Sequence, residues 1–220
     1  MMLLTEKQAD FVLSDANFTL YGSGAGSGAT TAVVSSIMES QAKEIAYITP
    51  QRTNLPGGFE DVFKKRLGYT EHVHFKAQKV FEFSNKRVKI LDSIYDALGQ
   101  SFDEVYVEHI QSFPRRHFEA LILRFPIVKA TCLACPDSWV KDFVGDHMLD
   151  DLGVPRHNPV EAKIEISDNG LELSREGFAK ALLIGATVED NPGLIESSYR
   201  VNLKALPKHE RINLLHGCWN

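Results

Sequence analysis

The sequence predicts a single α/β domain whose mainly parallel sheet is flanked by helices, and three observations carry that reading. Short apolar runs of strand length alternate with segments of helical periodicity along most of the chain. The first such run, Asn17-Phe-Thr-Leu-Tyr21, ends in a glycine-rich stretch that leads straight into a helical pattern. A chain of 220 residues with 44% apolar content is enough for one substantial core.

Thr5-Glu6-Lys7-Gln8 reads as a capped helix start, with threonine followed three residues later by glutamine. Thr31 to Met38 is a buried helix, and Glu44 to Thr49 a second strand ended by Pro50, so strand, glycine loop, helix and strand form a βαβ unit with a right-handed crossover expected. A helix over Phe59 to Leu67 has Gly68 as its stop. Alternating residues from Val80 to Ser84 and from Arg87 to Leu91 predict a hairpin turning at Asn85-Lys86. Further strands fall at Glu104–Glu108, Ile127–Cys132 and Ala181–Gly185, and helices at Arg115–Phe125, Asp137–Leu149, Leu194–Leu206 and Pro207–Leu215. A weak strand pair within Val154 to Ser174 reads as an insertion on the domain's edge.

The net charge of -5 gives no global basic footprint, so a nucleic-acid contact would need a local patch or an assembled surface. Three cysteines are too few for a disulfide framework and suit a reducing compartment. Cys132-Leu-Ala-Cys135 has metal or redox spacing but no second pair to complete a zinc site, and His72 and His74 read as solvated edge positions. The start becomes polar too early for a secretory signal, and no apolar run nears the roughly 18 to 20 residues of a membrane span.

The glycine stretch carries the first chemical signal. A phosphate-binding loop needs inward backbone N–H groups, glycines that permit the bend, and a helix N-terminus behind it. Gly24, Gly26 and Gly28 before Thr30 meet those needs, which makes Gly24, Gly26, Ser27, Gly28, Ala29, Thr30 and Thr31 the candidate nucleotide-binding residues. The full Walker pattern also requires a lysine, and Ala29 stands in its place, with Ser23 in place of the leading glycine. A tight turn with no ligand also satisfies the pattern. Gly24, Gly26 and Ala29 fit the G-x-G-x-x-A dinucleotide spacing as well; since Ile48 to Arg52 holds no carboxylate, that reading survives only as an NADP-type site using Arg52. Asp103-Glu104 precedes its apolar strand rather than ending it, so Glu108, which follows Val105-Tyr-Val107, is the candidate metal carboxylate together with the Thr30 hydroxyl.

Ala186-Thr-Val-Glu-Asp-Asn-Pro-Gly193, Ala205-Leu-Pro-Lys-His-Glu-Arg-Ile-Asn-Leu-Leu-His-Gly-Cys-Trp-Asn220, the glycine loop and Thr5 to Gln8 together resemble the ATPase domain of the large terminase subunit of tailed bacteriophages. The resemblance implies a P-loop NTPase-like fold of the additional-strand class, ATP and Mg²⁺ as cofactors, and a DNA-packaging motor function. It places Gln8 at the adenine, Glu108 at the metal, His109 where a glutamate normally polarises the attacking water, and Thr131 in the segment that couples phosphate chemistry to motion. It further implies double-stranded viral DNA, the portal protein and the small terminase subunit as partners of a homo-oligomeric ring at the procapsid portal in the host cytoplasm, with no membrane contact. Residues 1–220 then form one terminase-like ATPase domain without the C-terminal nuclease domain. Ala25, Ala29, Leu98, His109 and Leu133 depart from the family pattern, which has basic residues at the first two positions, an arginine, a glutamate and an asparagine at the others, all tied to hydrolysis and coupling. Impaired hydrolysis is therefore expected, with a catalytically inactive assembly module as the alternative and the NADP enzyme as a remote one.

Overall fold

Segments such as Glu44–Ile48 and Val128–Leu133 carry buried side chains on both sides of the strand, the pattern of a sheet covered on two faces. The computed structural model describes residues 3–50, 53, 57–67, 73–75, 79–156, 159–195 and 197–220. Its strands are β1 (Phe18–Ser23), β2 (Glu44–Ile48), β3 (Val73–Phe75), β4 (Val80–Phe83), β5 (Lys86–Leu91), β6 (Glu104–Val107), β7 (Val128–Leu133), β8 (Val160–Ser167), β9 (Gly170–Ser174) and β10 (Ala179–Ala186). The helices are α1 (Glu6–Leu13), α2 (Ala29–Glu39), α3 (Phe59–Leu67), α4 (Ile94–Leu98), α5 (Arg115–Arg124), α6 (Trp139–Met148), α7 (Pro192–Ile195), α8 (Ser198–Ala205) and α9 (Lys208–His216).

Among the described residues the strands form one ten-stranded sheet in the order β3-β4-β5-β2-β6-β7-β1-β10-β8-β9. The run from β5 to β10 is parallel throughout, and an antiparallel extension flanks it on each side. The parallel core has the P-loop NTPase-like arrangement in which an added strand, β7, separates the glycine-loop strand β1 from the carboxylate strand β6. β1 and β2 are consequently not neighbours, since β6 and β7 lie between them. The βαβ unit expected from the sequence exists as a wide crossover, and the adjacent first and second strands of a dinucleotide fold are not formed.

Alternation divides the core into two layers. Ile45 and Tyr47 of β2 join Phe11, Val33, Ile37 and Phe63 from α1, α2 and α3 on one face, whereas Ala46 and Ile48 join Phe118, Val140 and Phe143 from α5 and α6 on the other. Trp139 and Phe143, one helical turn apart in α6, pack on Phe118, so they serve as a core face, and the Trp139 Nε1–H donates to the Phe113 carbonyl at 2.8 Å. The C-terminal Trp219 is fully buried in this same layer.

A buried lysine ties the first layer to the sheet. Lys129 of β7 is only 4% exposed, and its Nζ donates to the carbonyls of Phe11 and Val12 and to the Ser36 hydroxyl, each at 3.0 Å. It thus satisfies carbonyls at the C-terminus of α1, where the helix dipole favours a cation. Ser36 also meets the Tyr106 hydroxyl at 3.1 Å, and that hydroxyl donates to Glu104 at 2.7 Å.

Several boundaries differ from the sequence reading. The hairpin turns one residue earlier, at Ser84 (φ 45°) and Asn85 (φ 65°), because a two-residue primed turn needs positive φ at both positions. The long helix expected over Leu194–Leu206 is broken into α7 and α8, with Ser197 as the cap residue of the second. α4 and β3 were not anticipated, each being too short to show a period. The edge insertion is the β8–β9 hairpin, which extends the sheet from β10. Gly68, His72 and Arg52 lie outside the described residues, and His74 lies on β3, at an edge of the sheet.

Burial lowers the Lys129 pKa from 10.5 to about 8. Between those values the unfolded chain holds a proton that the folded chain does not, so stability rises as pH increases through that window. Chemical denaturation across it should show wild type gaining roughly 3 kcal/mol or less relative to Lys129→Met, which lacks the titrating group. Parallel pH profiles for the two proteins would refute the assignment.

Candidate functional site

The site begins where β1 runs out of side chains large enough to continue a strand. The loop from Gly24 to Gly28 joins β1 to α2, with left-handed backbone at Gly26 (φ 77°) and Gly28 (φ 84°) that only glycine adopts without strain. A side chain at either position would also collide: a Cβ on Gly26 would lie 2.6 Å from the Tyr199 ring, and one on Gly28 would lie 2.2 Å from the Gln8 amide nitrogen.

Three side chains from separate elements anchor successive loop carbonyls. Asn191 Nδ2 donates to Gly26 O at 2.8 Å, Tyr21 Oη to Ser27 O at 3.1 Å, and Gln8 Nε2 to Gly28 O at 3.2 Å. The backbone itself secures the loop's entrance, through Gly24 N–H to Ala186 O at 3.1 Å and Ala25 N–H to Leu214 O at 2.7 Å. A trans peptide points its N–H opposite to its C=O, so the three anchored carbonyls turn the N–H groups of Ser27, Gly28 and Ala29 away from their anchors. Successive backbone N–H groups around left-handed glycines can form an anion nest, and the N-terminus of α2 would add its dipole.

Gly24, Gly26, Ser27, Gly28, Ala29, Thr30 and Thr31 line one cavity of about 440 Å³ together with Glu108, His109, Thr131 and Leu133. The strand order produces this meeting, because β7 ends beside β1 and β6 beside β7, all three running in parallel. Gln8 lines an adjoining cavity of about 660 Å³ that shares Thr31 and Asn191 with the first. Its amide is also engaged with the cap of α1, Oε1 accepting from Thr5 N–H at 3.0 Å. Leu98 does not line either cavity; it packs against the core layer that contains α5 and α6.

Glu108 is 5% exposed, and its Oε2 accepts from the Tyr47 hydroxyl at 2.5 Å. Burial pushes its pKa up, while the Tyr47 and Thr30 hydroxyls favour the charged form. Its Oε1 has no hydrogen-bond partner among the described residues. A buried carboxylate oxygen without a donor, beside a threonine hydroxyl, is a hard-oxygen donor pair suited to Mg²⁺, which takes few protein ligands and completes its shell with water and phosphate. Asp103 lies at the other end of β6, where its carboxylate accepts from the Lys43 and Glu44 N–H groups at 2.9 and 3.0 Å.

His109 follows in left-handed conformation (φ 55°), and its N–H donates to Thr131 Oγ1 at 3.3 Å. Burial lowers the imidazole pKa, so the ring is neutral at pH 7. None of the described residues lining the loop cavity is lysine or arginine. Ala25, where the resemblance puts a basic residue, packs with Leu194, Leu206 and Leu214 against the small apolar cluster of the C-terminal helices.

Sequence reasoning missed Tyr21, Tyr47 and Asn191. The tyrosines look like ordinary strand residues until the register shows which face and which end of the sheet they occupy, and Asn191 carries no local phosphate signal at all. A larger cavity of about 880 Å³ lies between α6 and the β8–β9 hairpin, lined by Arg115, Lys141, Asp150, Arg156 and Glu172 among others. It shares no lining residue with the loop cavity, and no cluster of three metal-ligating side chains occurs among the described residues. No described helix is long and apolar enough to cross a membrane.

No protein-family model matches the chain, and no curated protein does. Solved structures do. The large terminase of the thermophilic bacteriophage D6E superposes with a TM-score of 0.69 at 13% identity over 99% of this chain and 54% of that one. The same terminase in complex with ATP-gamma-S gives a TM-score of 0.66 at 12% identity over 99% and 53% of the two chains. The large terminase ATPase domain of Thermus phage P74-26 gives 0.64 at 12% identity, over 99% of this chain and 94% of that domain. The chain thus spans about half the length of the D6E protein and nearly all of the isolated P74-26 domain. At these identities the likeness establishes architecture, and the chain has the fold of the ATPase domain of phage large terminases.

Proposed function

We propose that this chain is a terminase-type DNA-packaging ATPase domain that binds ATP with Mg²⁺ and hydrolyses it slowly. The observation that carries the reading is the meeting, in one cavity, of an anchored phosphate loop with the Thr30 and Glu108 oxygens and with no described basic residue. The loop N–H groups and the α2 N-terminus bind the phosphates, Thr30 and Glu108 hold the metal, and Gln8 and Thr31 border the space for the base. Mg²⁺ supplies the charge neutralisation that a loop lysine would otherwise share. His109 occupies the position next to the carboxylate as a neutral imidazole able to accept a proton, with its backbone fixed by Thr131. Without a lysine at Ala29 the charge that develops in the transition state has few donors, and without a glutamate at His109 the attacking water lacks a carboxylate base; each such group is commonly worth about 10² to 10³ in rate. On this reading the partners are double-stranded viral DNA, the portal protein, the small terminase subunit and further copies of the chain in a ring at the procapsid portal.

Isothermal titration should find weak ATP binding that falls at least about tenfold when Mg²⁺ is chelated, since the metal is then the main counter-charge. Magnesium-independent binding would contradict the roles of Thr30 and Glu108. Ala29→Lys should tighten ATP by about tenfold or more while turnover, measured by phosphate release, stays low. Full hydrolysis after that single change would overturn the placing of Glu108 and His109. An NADPH affinity above that for ATP would revive the dinucleotide reading.

A further inference from the structure

We propose that Asn191, with Tyr21 as its companion, is a positioning residue that sets the phosphate nest for a polyphosphate chain, a role that rests on the nucleotide-binding reading above. Asn191 lies far from the glycine loop in sequence, yet its Nδ2 reaches Gly26 O at 2.8 Å, and it lines both the loop cavity and the adjoining one. Its place is fixed from behind. Thr187 and Asp190 form a reciprocal cap on the 3₁₀ turn Val188–Asp190, the Asn191 N–H closes that turn on Val188 O, and Asp190 is ion-paired to Lys7 of α1 at 3.0 Å. The amide therefore meets the loop as a preset donor. Tyr21 does the same for the next carbonyl from inside the core, where its ring is fully buried.

The consequence is orientational. Gly26 and Gly28 are free to populate both signs of φ, so without anchors the peptide planes between them can flip and present carbonyls to an anion. With Gly26 O and Ser27 O held by Asn191 and Tyr21, the N–H groups of Ser27 and Gly28 keep the sense that attracts phosphate. In a loop that lacks its lysine, this backbone orientation supplies a correspondingly larger share of the affinity.

The test uses the full chain and two ligands, tripolyphosphate and adenosine, titrated calorimetrically into wild type, Asn191→Asp and Tyr21→Phe. Asn191→Asp keeps the shape but replaces the donor by a carboxylate, and Tyr21→Phe removes one hydroxyl from a filled site. Tripolyphosphate affinity should fall about tenfold or more for each, adenosine affinity should hold within about twofold, and the thermal midpoints should stay close to wild type. The ratio of wild type to Asn191→Asp should also narrow as the pH falls into the ordinary aspartate range, where the protonated carboxyl regains a donor for Gly26 O. Equal losses for both ligands, or an Asn191→Asp ratio that ignores pH, overturn the positioning role and leave only a structural one. Wild-type tripolyphosphate affinity in both variants overturns it outright while nucleotide binding stands; a wild-type chain that binds neither tripolyphosphate nor ATP removes the underlying reading itself. Should Asn191→Asp fail to fold, the Tyr21→Phe comparison decides alone.

Discussion

The direction of three peptide planes governs this molecule. The carbonyls of Gly26, Ser27 and Gly28 are claimed by side chains from the C-terminal segment, from β1 and from α1. Each claim is one ordinary hydrogen bond, worth about 0.5 to 1.5 kcal/mol in net stability. Together they fix three successive peptides of the loop that lines the cavity, the last of which the first turn of α2 also holds through Ala32 N–H to Gly28 O. The elements that supply them are themselves locked together: Lys7 joins α1 to Asp190, and Lys129 joins α1 to β7 and α2.

The departures from the terminase pattern, at Ala25, Ala29, Leu98, His109 and Leu133, leave this scaffold intact. Ala25 is absorbed into an apolar cluster with Leu194, Leu206 and Leu214, so the position has become part of the packing of the C-terminal helices on the loop. Leu98 likewise packs on the core. Glu108 and Tyr47 preserve a buried carboxylate with one oxygen held and the other without a partner among the described residues. The glycine loop, the Thr30 and Glu108 side chains and the Gln8 contact to Gly28 O remain gathered around the cavity.

Much of the architecture was legible because strands covered on both faces announce themselves as unbroken apolar runs, and because glycines before a helical pattern mark a specific backbone event. Glu108 was separable from Asp103 by asking which end of the run each occupied, and the structure puts Asp103 on the backbone of Lys43 and Glu44, far from the loop cavity. The break between α7 and α8 was not legible, since Leu194 to Leu206 keeps a helical spacing across it. The separation of β1 from β2 was equally hidden: nothing local to a glycine loop tells whether the following strand docks beside it or two places away. Asn191 and Tyr21 were invisible for the same reason, because their function depends on contacts between distant segments.

The pairing of β1 also fixes when, during synthesis, a working loop can exist. Its hydrogen-bonding neighbours are β7, which starts at Val128, and β10, which starts at Ala179; α2 and β2, made immediately afterwards, offer it no partner strand. Gln8 and Tyr21 precede the loop, but two further anchors arrive later still, at Asn191 and Leu214. An N-terminal fragment emerging from the ribosome therefore holds the glycines without these late anchors, and such long-range closure makes folding slow relative to locally wired helical domains. The anchored loop is thus closed by contacts that span nearly two hundred residues of sequence.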